Sequence, residues 1–367
     1  MMLKSKNTIL TIALVAITAL AIGVFTQQMD HQAADLPKLE KAIILPAGKP
    51  LSGIDFLDHN GQVFSGEDFK GFWSILFFGF TNCPDVCPAT MHTLKQVKET
   101  VSGANRWGNY QVVMVSVDPE RDSPRRLSDY VPFFDREFIG LTGALETTEE
   151  FARQLGILFV KHETNENGSY DVDHGTALIL LNPQSEMVGV IPAPHDAGSI
   201  SRDLISLAEY YAADHQSRTQ SRTGVAADDT VETASSETAS SESDAPLLEM
   251  QNAWIRPAPP GADAMAGYFE LVNNSSTAMR IINSESPQFS MTMIHDTVLK
   301  DGVASMQHRN ELVVPANGRV SLSPMATHVM MVGPESPLPL GSFAEITLIL
   351  DDGRRFTQSI EVRPQPK

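Results

Sequence analysis

Cysteine is nearly missing: Cys83 and Cys87 are the only two in 367 residues, with three residues between them in TNCPDVCPAT. So small a supply excludes a disulfide-rich scaffold, and a bridge across so short a gap constrains little of the unfolded chain. The pair therefore reads as a reactive or metal-binding element rather than a staple. Positive charge is short as well, with 27 Lys and Arg against 45 Asp and Glu and a net charge of -18. No basic stripe offsets this, which excludes a nucleic-acid partner. Aromatic residues are absent from residues 216–245, a stretch rich in Ser, Thr, Ala and acids. Without a periodic apolar face it cannot offset its ordering entropy, so residues 215–246 read as a disordered acidic linker. No internal repeat relates the two sides of that linker, and each side is expected to have its own fold.

One long uncharged run exists, from Ile9 to Phe25 behind Lys4 and Lys6. Extended by Thr8 and Thr26 it approaches the roughly 20 residues that span a bilayer as a helix. Ala19-Leu20-Ala21 resembles a signal cleavage site, but apolar residues continue past it, which favours an uncleaved anchor. Residues 1–30 are thus expected to form a transmembrane helix, with residues 31–50 as a tether. The lysines keep the amino terminus inside. The expected location is a single pass through a bacterial inner membrane with everything after residue 30 in the periplasm. With no cysteine near the amino terminus to carry a lipid, a lipoprotein is excluded.

Between residues 51 and 214 strands and helices alternate, which implies an α/β layered domain. Trp73–Phe80 is a continuous apolar run suited to a strand buried on both faces. The cysteine loop follows, and then a helix with apolar spacing at Met91, Leu94, Val97 and Val101. A second strand spans residues 111–117, a helix opens at Ser123-Pro124, and a hairpin joins 176–181 to 187–191 before a helix over 200–211. The cysteines therefore sit where a strand ends and a helix begins. There the helix's unpaired N–H groups favour thiolate. His174, just before the hairpin's first strand, is the candidate third group, with Asp171 and Asp173 as candidate partners for it. Two thiolates and one imidazole suit copper or zinc. A redox pair remains the alternative reading of Cys83 and Cys87.

From residue 247 to 367 short alternating segments separated by Gly, Pro and Asn imply an all-β sandwich or barrel. Nine of the 15 methionines fall here, close to histidines in MTMIHDTVLKDGVASMQHRN and SPMATHVMMVG. Core filling is the ordinary use of methionine. Thioether with imidazole, however, suits Cu(I). His328 and Met330, two apart, share a strand face, while Met331 points the other way into the core. His59 and His195 stand in turn-like or Pro-rich contexts, and His92, His162 and His215 read as surface positions.

FGFTNCPDVCP, VMVSVDPERDSPRRL and YDVDHGTALIL, in this order, resemble the Sco/SenC family of membrane-anchored copper chaperones. The resemblance implies a thioredoxin-like fold and copper, as Cu(I) or Cu(II), on Cys83, Cys87 and His174. It also implies delivery to the binuclear CuA site in subunit II of cytochrome c oxidase or a related copper enzyme. Gly175 departs slightly, standing where relatives often carry Ser or Thr. Thioredoxin-like oxidoreductases usually place two residues between their cysteines and a proline opposite. Here there are three, and His174-Gly175 stands at the proline position, which disfavours efficient thiol exchange. The order His295, ten residues, Met306, twenty-one, His328, one, Met330 resembles the signature of the PCuAC family of periplasmic copper chaperones. That resemblance implies a cupredoxin-like β-sandwich with Cu(I) on His295, Met306, His328 and Met330. Met293 lies on the same face; His308 lies beside the set. The combined expectation is a metallochaperone passing copper between two domains across a linker of on the order of 30 Å. Reduction of a client's cysteines and copper buffering are the alternatives.

Overall fold

β4 (Trp73–Gly79) is buried along its whole length, as its unbroken apolar run requires. In the computed structural model, which describes residues 37–105, 107–164, 170–219 and 247–366, it lies at the centre of an eight-stranded sheet. The elements of this half run, in chain order, β1 (Ile43–Pro50), β2 (Asp55–Asp58), β3 (Val63–Ser65), β4, α1 (Val86–Gly103), β5 (Tyr110–Ser116), α2 (Pro124–Phe134), β6 (Ile139–Thr142), α3 (Leu145–Gln154), β7 (Phe159–Lys161), β8 (Val172–Gly175), β9 (Leu178–Leu181), β10 (Glu186–Ile191) and α4 (Ala197–Thr219). The sheet order is β1-β10-β9-β4-β5-β6-β2-β3. β4, β5 and β6 are parallel and the other pairings antiparallel. Helical crossovers are what parallel neighbours demand, and α1 supplies the one from β4 to β5.

α1 begins at Val86, well ahead of the first spaced apolar position at Met91, so Cys87 belongs to its first turn. Pro88 is tolerated there because a first-turn N–H has no helical partner to lose. Its buried face carries Met91, Leu94, Val97 and Val101, as expected. α2 opens where expected, with Pro124 in its first turn and the Ser123 hydroxyl accepting from the Arg126 N–H. The hairpin β9–β10 forms across residues 182–185. His174 departs from expectation. It belongs to its own strand, β8, which leaves the central sheet and pairs with β7.

The second half contains only strands among its described residues: β11 (Leu248–Ile255), β12 (Ala264–Asn273), β13 (Met279–Glu285), β14 (Phe289–Lys300), β15 (Val303–His308), β16 (Leu312–Val314), β17 (Gly318–Leu322), β18 (Thr327–Pro334), β19 (Phe343–Leu350) and β20 (Arg355–Glu361). One sheet runs β11-β12-β18-β14-β15 and the other β16-β13-β19-β20. Their facing sides share one core, with Met265, Phe269, Val329 and Met331 against Ile281, Val314, Ile346 and Leu348. β14 and β15 are joined by Asp301-Gly302, both with positive φ, a tight turn that favours this residue pair.

Glu40–Ile205 and the described residues from Leu247 onward belong to one compact unit. The outer edge of β15 pairs with β8, Val303 opposite Gly175 and Ala304 opposite His174. The two halves are therefore in direct register, where the linker alone implied only a loose tether. Among the described residues no helix is long and apolar enough to cross a membrane. The expected anchor, residues 1–30, lies outside the described residues.

The cap of α2 gives a test of the local reading. Ser123→Ala is expected to lower stability by about 1 kcal/mol in denaturant unfolding, with Ser123→Asp restoring most of it.

Candidate metal centres

At the end of β4 the chain turns through Phe80, Thr81 and Asn82 into the cysteine loop. The Cys83 and Cys87 sulfurs and a ring nitrogen of His174 all lie within 4.8 Å of one another. All three residues are buried and both cysteines are free. The Cys87 N–H donates to Cys83 Sγ at 3.4 Å, and Cys87 Sγ lies 3.5 Å from His174 Nε2. His174 Nδ1 lies 3.1 Å from the carbonyl of Gly175. A carbonyl only accepts, so Nδ1 carries a proton and Nε2 faces the sulfurs. Phe77 and Phe80 pack edge-on against the imidazole and fix its plane. Neither Asp171 nor Asp173 supplies the orienting acceptor; Asp173 instead pairs with His162 at 3.0 Å.

The two thiols are not equivalent. Burial pushes Cys83 up, but its bonds with Cys87 and His174 outweigh burial and hold it well below the usual thiol range. Burial and the neighbouring Cys83 push Cys87 well above that range. One thiolate beside one thiol results, a usual outcome for two coupled acids at one site. Room for the sulfur depends on Gly79, where a β-carbon would stand 2.9 Å from Cys87 Sγ and 2.6 Å from the Phe77 ring. Gly175 has a similar cause, since a β-carbon there would meet Ile157 at 3.1 Å.

The second donor set is built by strand register. His295 of β14 stands opposite His328 of β18 on one side and His308 of β15 on the other. Met330 is opposite Met293, and Met306 is opposite Thr297. Directly opposed residues and residues two apart share a sheet face, so His295, His328, Met330, Met306, Met293 and His308 all lie on one face. Met331 alternates to the other side and joins the core, as expected. His295 is 3% exposed and His328 is fully buried, while His308 is exposed. The His295 and His328 rings are 6.2 Å apart. His328 Nδ1 donates to the carbonyl of Ala326, leaving Nε2 as an acceptor. That Nε2 and the Nδ1 of His295 are buried with no hydrogen-bond partner. Unpartnered buried ring nitrogens are costly, and a metal ion would satisfy both. Burial, then His328 and His308, pull His295 down to about 4, so it presents a neutral imidazole at pH 7.

Asp85, between the two cysteines, was not singled out from the sequence. Its carboxylate accepts from Tyr268, Thr297 and the Met325 N–H, each at 2.8 Å, and from Arg256 at 3.3 Å. Every one of these donors lies more than 170 residues away along the chain, so no local pattern connects them. Asp122 is another residue the sequence reading passed over. Fully buried, it accepts from Thr81 Oγ1 at 2.6 Å and Ser116 Oγ at 2.7 Å, bracing the start of the cysteine loop. His59 is the remaining histidine with a clear structural role, its Nδ1 accepting from the Gly140 N–H at 3.2 Å.

Two outcomes follow from this geometry. Gly79→Ala is expected to leave the chain folded at a cost of about 1–3 kcal/mol, because the new methyl overpacks against Phe77 and Cys87. Metal affinity at the cysteines should fall by roughly tenfold in chelator competition while the second face is unaffected. For Asp122, burial raises the acid to about 6. The folded state therefore holds the extra proton between the unfolded value and 6, and stability falls as pH rises through that window. Denaturant unfolding should show wild type losing up to roughly 3 kcal/mol relative to Asp122→Asn between pH 4 and 7. A pH-independent difference would contradict this account.

Comparison with known proteins matches residues 51–209 to the SCO1/SenC family model and residues 248–362 to the model described as "Putative lipoprotein LpqE-like". A protein of Stutzerimonas stutzeri described as "Putative copper-binding protein" is 36% identical over 188 residues, 51% of this chain and 90% of the relative. The human protein "SCO1 homolog, mitochondrial" is 31% identical, over 52% of this chain and 64% of its own length. Among solved structures, copper-bound ScoI of Arabidopsis thaliana is 31% identical, with TM-score 0.41, over 44% of this chain and 99% of that one. The copper-bound PCuAC domain from PmoF2 is 21% identical, with TM-score 0.29, over 34% of this chain and 97% of that one. The first half has the thioredoxin-like Sco fold, and since the Stutzerimonas relative is matched almost end to end, the chain belongs to the SCO1/SenC family, extended by an all-β domain of the LpqE-like kind.

Proposed function

We propose that the chain is a copper metallochaperone held by its amino-terminal segment in a bacterial inner membrane, with both domains in the periplasm. Its client is the CuA centre of cytochrome c oxidase subunit II or a related copper enzyme. The observation that carries this reading is the buried Cys83, Cys87 and His174 cluster, whose donor atoms already lie within 4.8 Å of one another. Two thiolates and one imidazole accommodate copper in either oxidation state, and three ligands leave a position for an incoming donor. Cys83, held well below the usual thiol range, is the readier of the two thiols to ligate. Cys87 gives up its proton when copper binds, as metal–thiolate sites require.

The second, cupredoxin-like domain serves Cu(I). His295, Met306, His328 and Met330 combine thioether with imidazole, a set that disfavours harder ions and has no thiol to lose to oxidation. Met293, on the same face, is a candidate auxiliary ligand. Copper passes between this set and the cysteines within one chain. The unequal thiols also support a second role, since a thiolate with a thiol beside it is the reduced form that attacks an oxidised client's disulfide.

Copper stoichiometry with X-ray absorption on the reduced protein tests the assignment. Wild type should bind two coppers per chain, one with sulfur and nitrogen donors and one with nitrogen and longer sulfur donors. His174→Ala should lose the first and retain the second, and His295→Ala with His328→Ala the reverse. Retention of both coppers in either variant would overturn the ligand assignment.

A further inference from the structure

Asp85 stands at the N-cap of α1, and its carboxylate makes no side-chain cap bond to that helix. An aspartate there ordinarily accepts from the N–H groups of the first turn, worth about 1 kcal/mol. Instead, Asp85 is fully buried and its side-chain bonds run to the second half of the chain. Oδ1 accepts from Tyr268 Oη at 2.8 Å and Arg256 Nη1 at 3.3 Å. Oδ2 accepts from Thr297 Oγ1 and the Met325 N–H, both at 2.8 Å. His328 Nδ1, on the ring whose other nitrogen is unpartnered, lies 3.7 Å from the same oxygen.

The donors are themselves arranged for this contact. Arg256, 3% exposed, also donates to the Asp85 carbonyl at 2.8 Å and lies against the Tyr268 ring. Met325 aims its N–H at the carboxylate from a left-handed backbone, φ 60°, which a non-glycine residue adopts only when surroundings enforce it. Around this contact the β8–β15 ladder, two bonds from Thr176 to the Gly302 carbonyl and the Arg126–Asp263 ion pair fix the register. One carboxylate thus ties the cysteine loop to the sheet that carries the histidine and methionine face.

We propose that Asp85 is a reversible latch. In the closed state it gives up capping α1 and accepts donors from β12, β14 and the loop before β18, so that the second domain covers Cys83 and Cys87 and sets the two donor sets side by side. In the open state the Asp85 carboxylate returns to the first turn of α1, and the thiols become available to a client. The passage of copper in the closed state rests on the reading given above; the latch itself does not. Reversibility follows from the balance of terms, because both Asp85 and Arg256 regain water or cap bonds on opening.

The test uses the reduced, metal-free full chain and the rate of Cys83 and Cys87 alkylation by N-ethylmaleimide. Asp85→Asn retains a good N-cap but weakens the pairing with Arg256. Tyr268→Phe combined with Thr297→Val removes two donors and leaves the cysteine loop unaltered. Both variants should alkylate roughly tenfold faster than wild type while unfolding cooperatively. Unchanged rates in folded variants would remove the latch. So would wild-type thiols that react as fast as those of the denatured chain. Copper stoichiometry measured on the same samples separates the two ideas: wild type without copper defeats the chaperone reading, whereas two coppers with unaltered alkylation defeats only the latch.

Discussion

The junction where β4 ends against the first turn of α1 imposes a charge balance on everything packed around it. A Cys83 thiolate, the carboxylate of Asp85 and the acid of Asp122 are all buried within a few residues of that turn in space or sequence. Buried acids need donors or positive charge, since water is not there to supply them. The first turn of α1 supplies N–H groups, and His174 supplies an imidazole beside the sulfurs. Thr81 and Ser116 satisfy Asp122. For Asp85 the donors come from Arg256, Tyr268, Thr297 and Met325. The last of these groups is remote in sequence, and that is why the second domain has to be counted as part of the first domain's site.

The two donor sets are built by different means. Cys83 and Cys87 are close because a loop and one helical turn hold them, with His174 brought in by a separate strand. His295, His328, Met306 and Met330 share a face because three antiparallel strands are in one register. A single-residue slip of β14 would move His295 to the core side, so the hydrophobic core on the opposite face enforces the ligand face. Met331, fully buried in that core next to Met330, shows how the alternation separates the core from the histidine–methionine face. Because β8 pairs with β15, the strand that carries His174 and the strand that carries Met306 are neighbours in one sheet.

Much of the layout was legible from local pattern. The buried strand β4, the capped helix α2 and the β9–β10 hairpin follow from an apolar run, a Ser-Pro start and a turn. Strands β11 and β15 were not anticipated, and their composition explains it. β15 is short and carries polar residues on both faces, and β11 is interrupted by a register shift near Asn252. The strand holding His174 was also missed, because four residues in a polar context give no periodic signal; only pairing with β7 and β15 makes it a strand.

Residue chemistry and spacing alone determined which side chains have metal-binding character. Two cysteines three residues apart, a histidine before an apolar strand, and methionines alternating with histidines are local facts that soft-metal chemistry interprets directly. Tertiary structure alone decided which nitrogen of His174 faces the sulfurs, why Gly79 has no side chain, and where the carboxylate of Asp85 goes. The reason is physical. Ligand type is a property of a residue and its near neighbours, whereas the partner of a buried charge is set by whatever long-range packing brings within hydrogen-bond distance.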